Sequence, residues 1–124
     1  MPNTKLSIRP ILAHLNATEN KNPEEQFQNL TLRPIIKMQH NLLLAFFHNH
    51  LQRKKIKFTE LNPLKKNAVI ETVFKNDTQF KTELRGLIIG HFTIEEYNEY
   101  QPLSSEFNKR IINIIKERLQ SLNT

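Results

Sequence analysis

The sequence predicts an all-α protein: a single compact bundle of five to six helices around a largely apolar central helix (about residues 34–52), with a disordered N-terminal tail. Three observations lead there. Apolar residues recur at three- and four-residue spacing from Phe27 almost to the end of the chain. Asn-Pro and Thr-x-x-Glu signals, which start helices, punctuate that spacing. Glycine is confined to Gly86 and Gly90, which leaves little of the turn chemistry that hairpins, phosphate loops and strained nucleophile turns require.

Residues 1–22 carry no sustained period and form the expected flexible tail, with one anchoring patch at Ile8, Ile11 and Leu12. Residues 23–124 form the expected single helical domain. Asn22-Pro23-Glu24-Glu25 starts the first helix: Asn caps, Pro takes the first position, and two carboxylates meet the positive dipole end. Phe27, Leu30, Thr31, Ile35, Met38 and Leu42 keep helical spacing through Pro34, so one helix kinks there or a second begins. Between residues 34 and 52 only Lys37, Asn41, His48 and Gln52 form a clear polar strip. A helix apolar on most of its circumference belongs inside a bundle or in an oligomer contact.

Asn62-Pro63 repeats the start signal, with Val69, Ile70, Val73 and Phe74 on one face. Asp77 or Thr78 caps the next helix, whose stripe is Phe80, Leu84, Leu87 and Ile88. Gly90 ends it as a left-handed residue, and Gly86 provides a packing notch. Thr93-Ile94-Glu95-Glu96 fits a capping box ahead of a short helix lined by Ile94, Tyr97 and Tyr100. The last helix buries Phe107, Ile111, Ile114, Ile115, Leu119 and Leu122. Arg118 falls inside that stripe and is expected to snorkel or to meet a buried carboxylate.

Composition excludes some chemistry. No cysteine means no disulfide, thiolate metal site or cysteine nucleophile. The start shows no secretory pattern, and the longest apolar run, residues 42–47, is far short of a membrane span. A cytoplasmic protein without membrane contact is the expectation. The net charge of +6 is uneven: Arg53, Lys54, Lys55, Lys57, Lys65 and Lys66 against Glu60 leave +5 over residues 53–66, whereas residues 91–100 carry −3.

That basic cluster, joined by Arg110 and Lys116 on the last helix, is the candidate polyanion patch. Arg53, Lys54 and Lys55 also suit the carboxyl end of the central helix. A helix-lined pocket near the glycine joint would draw on Gly86, Gly90, His91, Tyr97, Tyr100 and Arg118. His14, His40, His48, His50 and His91 lack the i, i+4 pairing of a helical zinc site, so no metal is expected. Glu95, Glu96, Glu99 and Glu106 have no marked acid–base partner, and Ser104-Ser105 lacks a glycine elbow. No catalytic residue or cofactor is assigned.

Glu24-Glu25-Gln26-Phe27-Gln28-Asn29, Thr31-Leu32-Arg33-Pro34-Ile35-Ile36-Lys37, the run from Gly86 through Gly90-His91-Phe92-Thr93-Ile94-Glu95-Glu96 to Tyr97, and Asn108-Lys109-Arg110 resemble a family of small uncharacterised all-helical bacterial proteins. The likeness covers roughly residues 23–120. Some members carry the label glyoxalase. The resemblance implies a shared fold, and no residue role comes with it. The label has no support in these residues: beyond a strand hint at Lys57-Phe58-Thr59 that is too short to matter, the sequence predicts essentially no strands for paired βαβββ units, and it has no T-H-x-H-x-D-H run and no cysteine. The expected function is an interaction or regulatory module that binds a protein partner or self-associates, leaning away from an enzyme. The alternative is a basic nucleic-acid-associated protein using residues 53–66 and the last helix.

Overall fold

Asn22 and Asn62 show how closely local chemistry sets the helix starts. Their side-chain oxygens accept from the Glu25 and Lys65 amides, each at 2.8 Å, with proline in the first turn. The structure, a computed structural model, describes residues 4–10 and 22–123. Among these there is no strand. In order come α1 (Thr4–Ser7), α2 (Pro23–Phe27), a π turn (Gln28–Leu32), α3 (Arg33–Met38), α4 (His40–Arg53), a 3-10 turn (Phe58–Glu60), α5 (Pro63–Asn76), α6 (Thr78–Ile89), α7 (Ile94–Tyr100), a 3-10 turn (Gln101–Leu103) and α8 (Ser104–Ser121).

Pro34 stands at the second position of α3, directly after the π turn, and the backbone stays helical across the junction. Its ring would collide with the carbonyl four residues back in a regular ladder. The π turn just before it widens the spiral, the Arg33 amide reaching back to the Gln28 carbonyl, and α2 runs on into α3. The apolar stretch expected over 34–52 divides instead at Gln39, whose φ of −93° and ψ of 12° leave the helical range. On its inner side Ile35, Ile36, Leu43, Phe47 and Leu51 are buried, while Leu42 faces water.

α8 fastens the bundle. It touches α5, α6 and the π turn, and buries Phe107, Ile111, Ile112, Ile114, Ile115 and Leu119. Each such side chain gains roughly 1.5–3 kcal/mol of transfer free energy. Leu122, expected in that stripe, is 52% exposed, because the helix has ended before it. Glu71 binds Lys116 at 2.7 Å and Gln120 at 2.8 Å while Asn67 meets Asn123, so α5 and α8 run antiparallel. Seven of the eight phenylalanines are buried. Phe27, Phe92 and Phe107 form one aromatic cluster with Tyr100, and Phe46, Phe47, Phe58, Phe74 and Phe80 form another.

α4 ends without glycine. The Ile56 amide bonds the Leu51 carbonyl at 3.0 Å and the Lys55 amide the Gln52 carbonyl at 2.9 Å. This is a Schellman arrangement, and it places Lys55 at a φ of 59°.

Part of the expected tail is held by polar contacts. Lys5 Nζ donates to the Phe92 carbonyl at 2.9 Å, and the Arg9 side chain is 5% exposed. Ile8, expected as an anchor, is 60% exposed. Ile11, Leu12 and His14 lie outside the described residues.

Candidate functional site

The joint between α6 and α7 gathers the densest set of long-range polar contacts among the described residues, though not by the route expected from its glycines. Gly90 has a φ of −59° and is right-handed, so it is no left-handed cap. The helix tightens to its end instead, with His91 and Phe92 amides bonding the Ile88 and Ile89 carbonyls at 3.0 and 2.9 Å. Gly86 is exposed, and a β-carbon there would meet nothing within 4 Å, so it is no packing notch. The capping box forms as the sequence requires: the Glu96 amide donates to Thr93 Oγ1 at 3.1 Å and the Thr93 amide to Glu96 Oε1 at 2.8 Å.

Glu96 does more than cap. It accepts from Arg9 Nη1 and Nη2 at 2.5 and 2.7 Å and from Thr31 Oγ1 at 3.1 Å. Arg9 also donates to the His91 carbonyl at 2.5 Å. One carboxylate thus ties α1's trailing residues, the π turn and α7 together. Burial pushes its pKa up, but Arg9, the Thr93 amide and Thr31 outweigh this and hold it below the usual carboxylate value. Arg9 Nε is buried and has no hydrogen-bond partner among the described residues. Sequence reasoning missed Arg9, Thr31 and Lys5. The signal was there as charge: Lys5 and Arg9 are cations awaiting the acidic stretch around Glu96.

His91 sits where Gln39 marks the α3–α4 break, the Gln39 side-chain Nε2 donating to His91 Nε2. Burial lowers its pKa first, and Arg9 and Lys5 add to that. His40 is similar: burial and then Arg118 lower its pKa. Arg118 Nε donates to His40 Nδ1 at 2.9 Å, and because guanidinium can only donate, that imidazole nitrogen is unprotonated. The partner of Arg118 is therefore a histidine, not a buried carboxylate.

The expected pocket does not assemble from these residues. Tyr100 is buried in the aromatic cluster, its hydroxyl donating to Asn108 Oδ1 at 2.6 Å; Tyr97 is 47% exposed; Ile94 is 75% exposed. A cleft of about 640 Å³ opens beside the joint instead. Leu6, Leu30 and Leu103 line it over Phe27 and Phe107, and Glu24, Glu96 and Glu99 give it acid. Leu6, Leu30 and Leu103 are 52%, 59% and 43% exposed. Glu24 and Glu99 have no cation partner among the described residues.

Folding gives some of the basic residues partners and leaves others exposed. Lys54 pairs with Asp77 at 2.9 Å, and Lys66 lies over the Phe58 ring at 5.5 Å. Arg110 donates to Gln28 at 3.0 Å and lies 3.7 Å from Glu106, while Lys116 is taken by Glu71. The last helix thus spends its two candidate cations on internal contacts. Arg53, Lys55, Lys57 and Lys65 remain exposed without carboxylate partners among the described residues.

Asp77 stands at the cap position of α6 but makes no cap bond. Its carboxylate accepts from His50 at 2.8 Å and from Lys54, which together overcome the upward push of burial and lower its pKa. His50 also stacks on Phe80, with ring centroids 4.3 Å apart. Among the described residues no three His, Asp or Glu side chains converge as a metal site, and no helix is long and apolar enough to cross a membrane. No protein-family model, curated protein or solved structure matches the chain.

Proposed function

We propose that this chain is an interaction module whose contact face is the cleft beside the α6–α7 joint, and that its partner presents a basic amphipathic segment. One observation carries the reading: three leucines from separate elements, Leu6, Leu30 and Leu103, are left in water around one concavity. Exposed apolar side chains are ordinary singly, but their convergence in a groove marks a contact surface. The partner's charge follows from the rim, since Glu24 and Glu99, without a cation partner among the described residues, offer carboxylates to approaching lysines or arginines. The Arg9–Glu96 pair and the capping box hold the cleft wall, so the partner meets a preformed face.

Titration calorimetry with a synthetic 18-residue Leu/Lys amphipathic helix tests this. Saturable binding that weakens at least tenfold in Leu30→Glu, and weakens with salt, is the expected result. Undiminished binding by Leu30→Glu would refute the cleft as the contact face. A sedimentation mass near twice 14.7 kDa that falls to one chain in Leu30→Glu would make the occupant a second copy instead.

A further inference from the structure

We propose that a second surface, the groove between α6 and α8, is a binding site for phosphate esters. The groove encloses about 530 Å³, within the size range of small-ligand sites. Lys81 and Arg85 line it from α6, Lys109 and Asn113 from α8, over a floor formed by Phe74. No carboxylate lines it.

Shared lining sets these three cations apart: Arg53, Lys55, Lys57 and Lys65 also lack a carboxylate partner among the described residues, but Lys81, Arg85 and Lys109 line one groove together. Arg9, Lys54, Arg110 and Lys116 each lie within 4 Å of a carboxylate, so their charge is spent inside the molecule. Lys81, Arg85 and Lys109 have no such partner among the described residues. Lys81 and Arg85 stand one turn apart on α6, about 6 Å along its axis, and Lys109 faces them from the neighbouring helix. Two rows of donors across a groove clasp an anion from both sides, which scattered surface lysines do not. Arg85 is held in place by its bond to Thr82 Oγ1 at 3.0 Å. The Asn108 carbonyl oxygen accepts from Tyr100, which leaves that side chain's amide hydrogens as the end free to donate. Arginine is the side chain best matched to phosphate oxygens, presenting two parallel N–H groups.

Phosphate esters come free, as nucleotides, or in a nucleic-acid backbone, and the site chemistry is shared. With two or three contacts to a single strand, the affinity should fall with salt at a log–log slope of about −1.5 to −2. The site is separate from the Leu30 cleft, so either surface can fail its test without the other.

Fluorescence anisotropy of a labelled 12-nucleotide oligothymidylate at low salt tests the proposal, with adenosine diphosphate as competitor. Arg85→Gln/Lys109→Gln, checked for folding by circular dichroism, is expected to weaken binding at least tenfold. Lys57→Gln/Lys65→Gln removes the same charge elsewhere and is expected to change it less than twofold. Competition by the nucleotide that the groove variant abolishes assigns free esters; oligonucleotide binding without competition assigns the polymer. Equal loss in both double variants, or no binding of either probe, overturns the site.

Discussion

Lys55→Gly should stabilise the protein. The chain leaves α4 through a φ of 59° at Lys55, the conformation in which a β-carbon crowds the following carbonyl. A non-glycine residue there costs about 1–2 kcal/mol. Glycine removes that strain but adds unfolded-chain entropy, worth roughly 0.4–1 kcal/mol in the other direction. The two bonds that close the turn, Ile56 to Leu51 and Lys55 to Gln52, are backbone and survive the change. The net expectation is a gain of about 0.5–1 kcal/mol. Urea denaturation reads it as a midpoint raised by roughly 0.3–0.6 M with unchanged slope, taking m near 1.5–2 kcal/mol/M. Lys55→Ala keeps the strain and loses the same side chain, so it should gain nothing. A destabilised glycine variant, or an alanine variant that gains equally, would refute the argument from backbone strain.

Gly86→Ala should also stabilise, by about 0.5–1 kcal/mol and a Tm rise of roughly 2–5 °C, because the position is helical, exposed and open; a fall would mean another backbone approaches there. At the joint, Glu96→Gln retains a capping-competent amide but leaves the Arg9 guanidinium uncompensated, so it should cost about 2–3 kcal/mol against about 1–2 for Arg9→Ala. A double-mutant cycle with coupling below about 0.5 kcal/mol would show the pair to be idle. Stability should fall on acidification in two steps. His40 and His91 have lowered pKa values when folded, so below about pH 6.5 the unfolded chain takes up protons that the native one refuses. Glu96 and Asp77, also lowered, keep their stabilisation above the usual carboxylate range and lose it as pH falls through and below that range. The His91 ring faces Arg9, Lys5 and Gln39, and the His40 ring Arg118, so Arg118→Met should shrink the first step. Urea midpoints at pH 7.5, 5.5 and 4 check this; a midpoint that rises toward pH 5.5 contradicts it.

What the sequence revealed about this fold was local, and what it hid was long-range. The Asn22, Asn62 and Thr93–Glu96 starts were legible because each signal closes within four residues. Helical period gave most of the buried stripe of α8 for the same reason. Pro34 marked the junction at which α3 begins but not the π turn upstream of it, and the second break falls at Gln39, whose own chemistry signals nothing. Both glycines pointed to cap and notch, yet the turn that needs a positive φ carries Lys55. The Arg9–Glu96 contact spans the chain, so only charge complementarity hinted at it. Basic residues were grouped in sequence by adjacency, which does not reveal which of them pair with carboxylates. Folding tied Arg110 and Lys116 to α8's neighbours and left Lys81, Arg85 and Lys109, unremarkable in order, around one groove.

The contact face can be tested most directly by mapping backbone amide shifts while a basic amphipathic helix is titrated into isotope-labelled protein. The account predicts saturable shifts at Leu6, Leu30, Glu99 and Leu103, absent in Leu30→Glu, with α5 unmoved. Shifts spread evenly over the surface, or confined to residues 53–66, would contradict it.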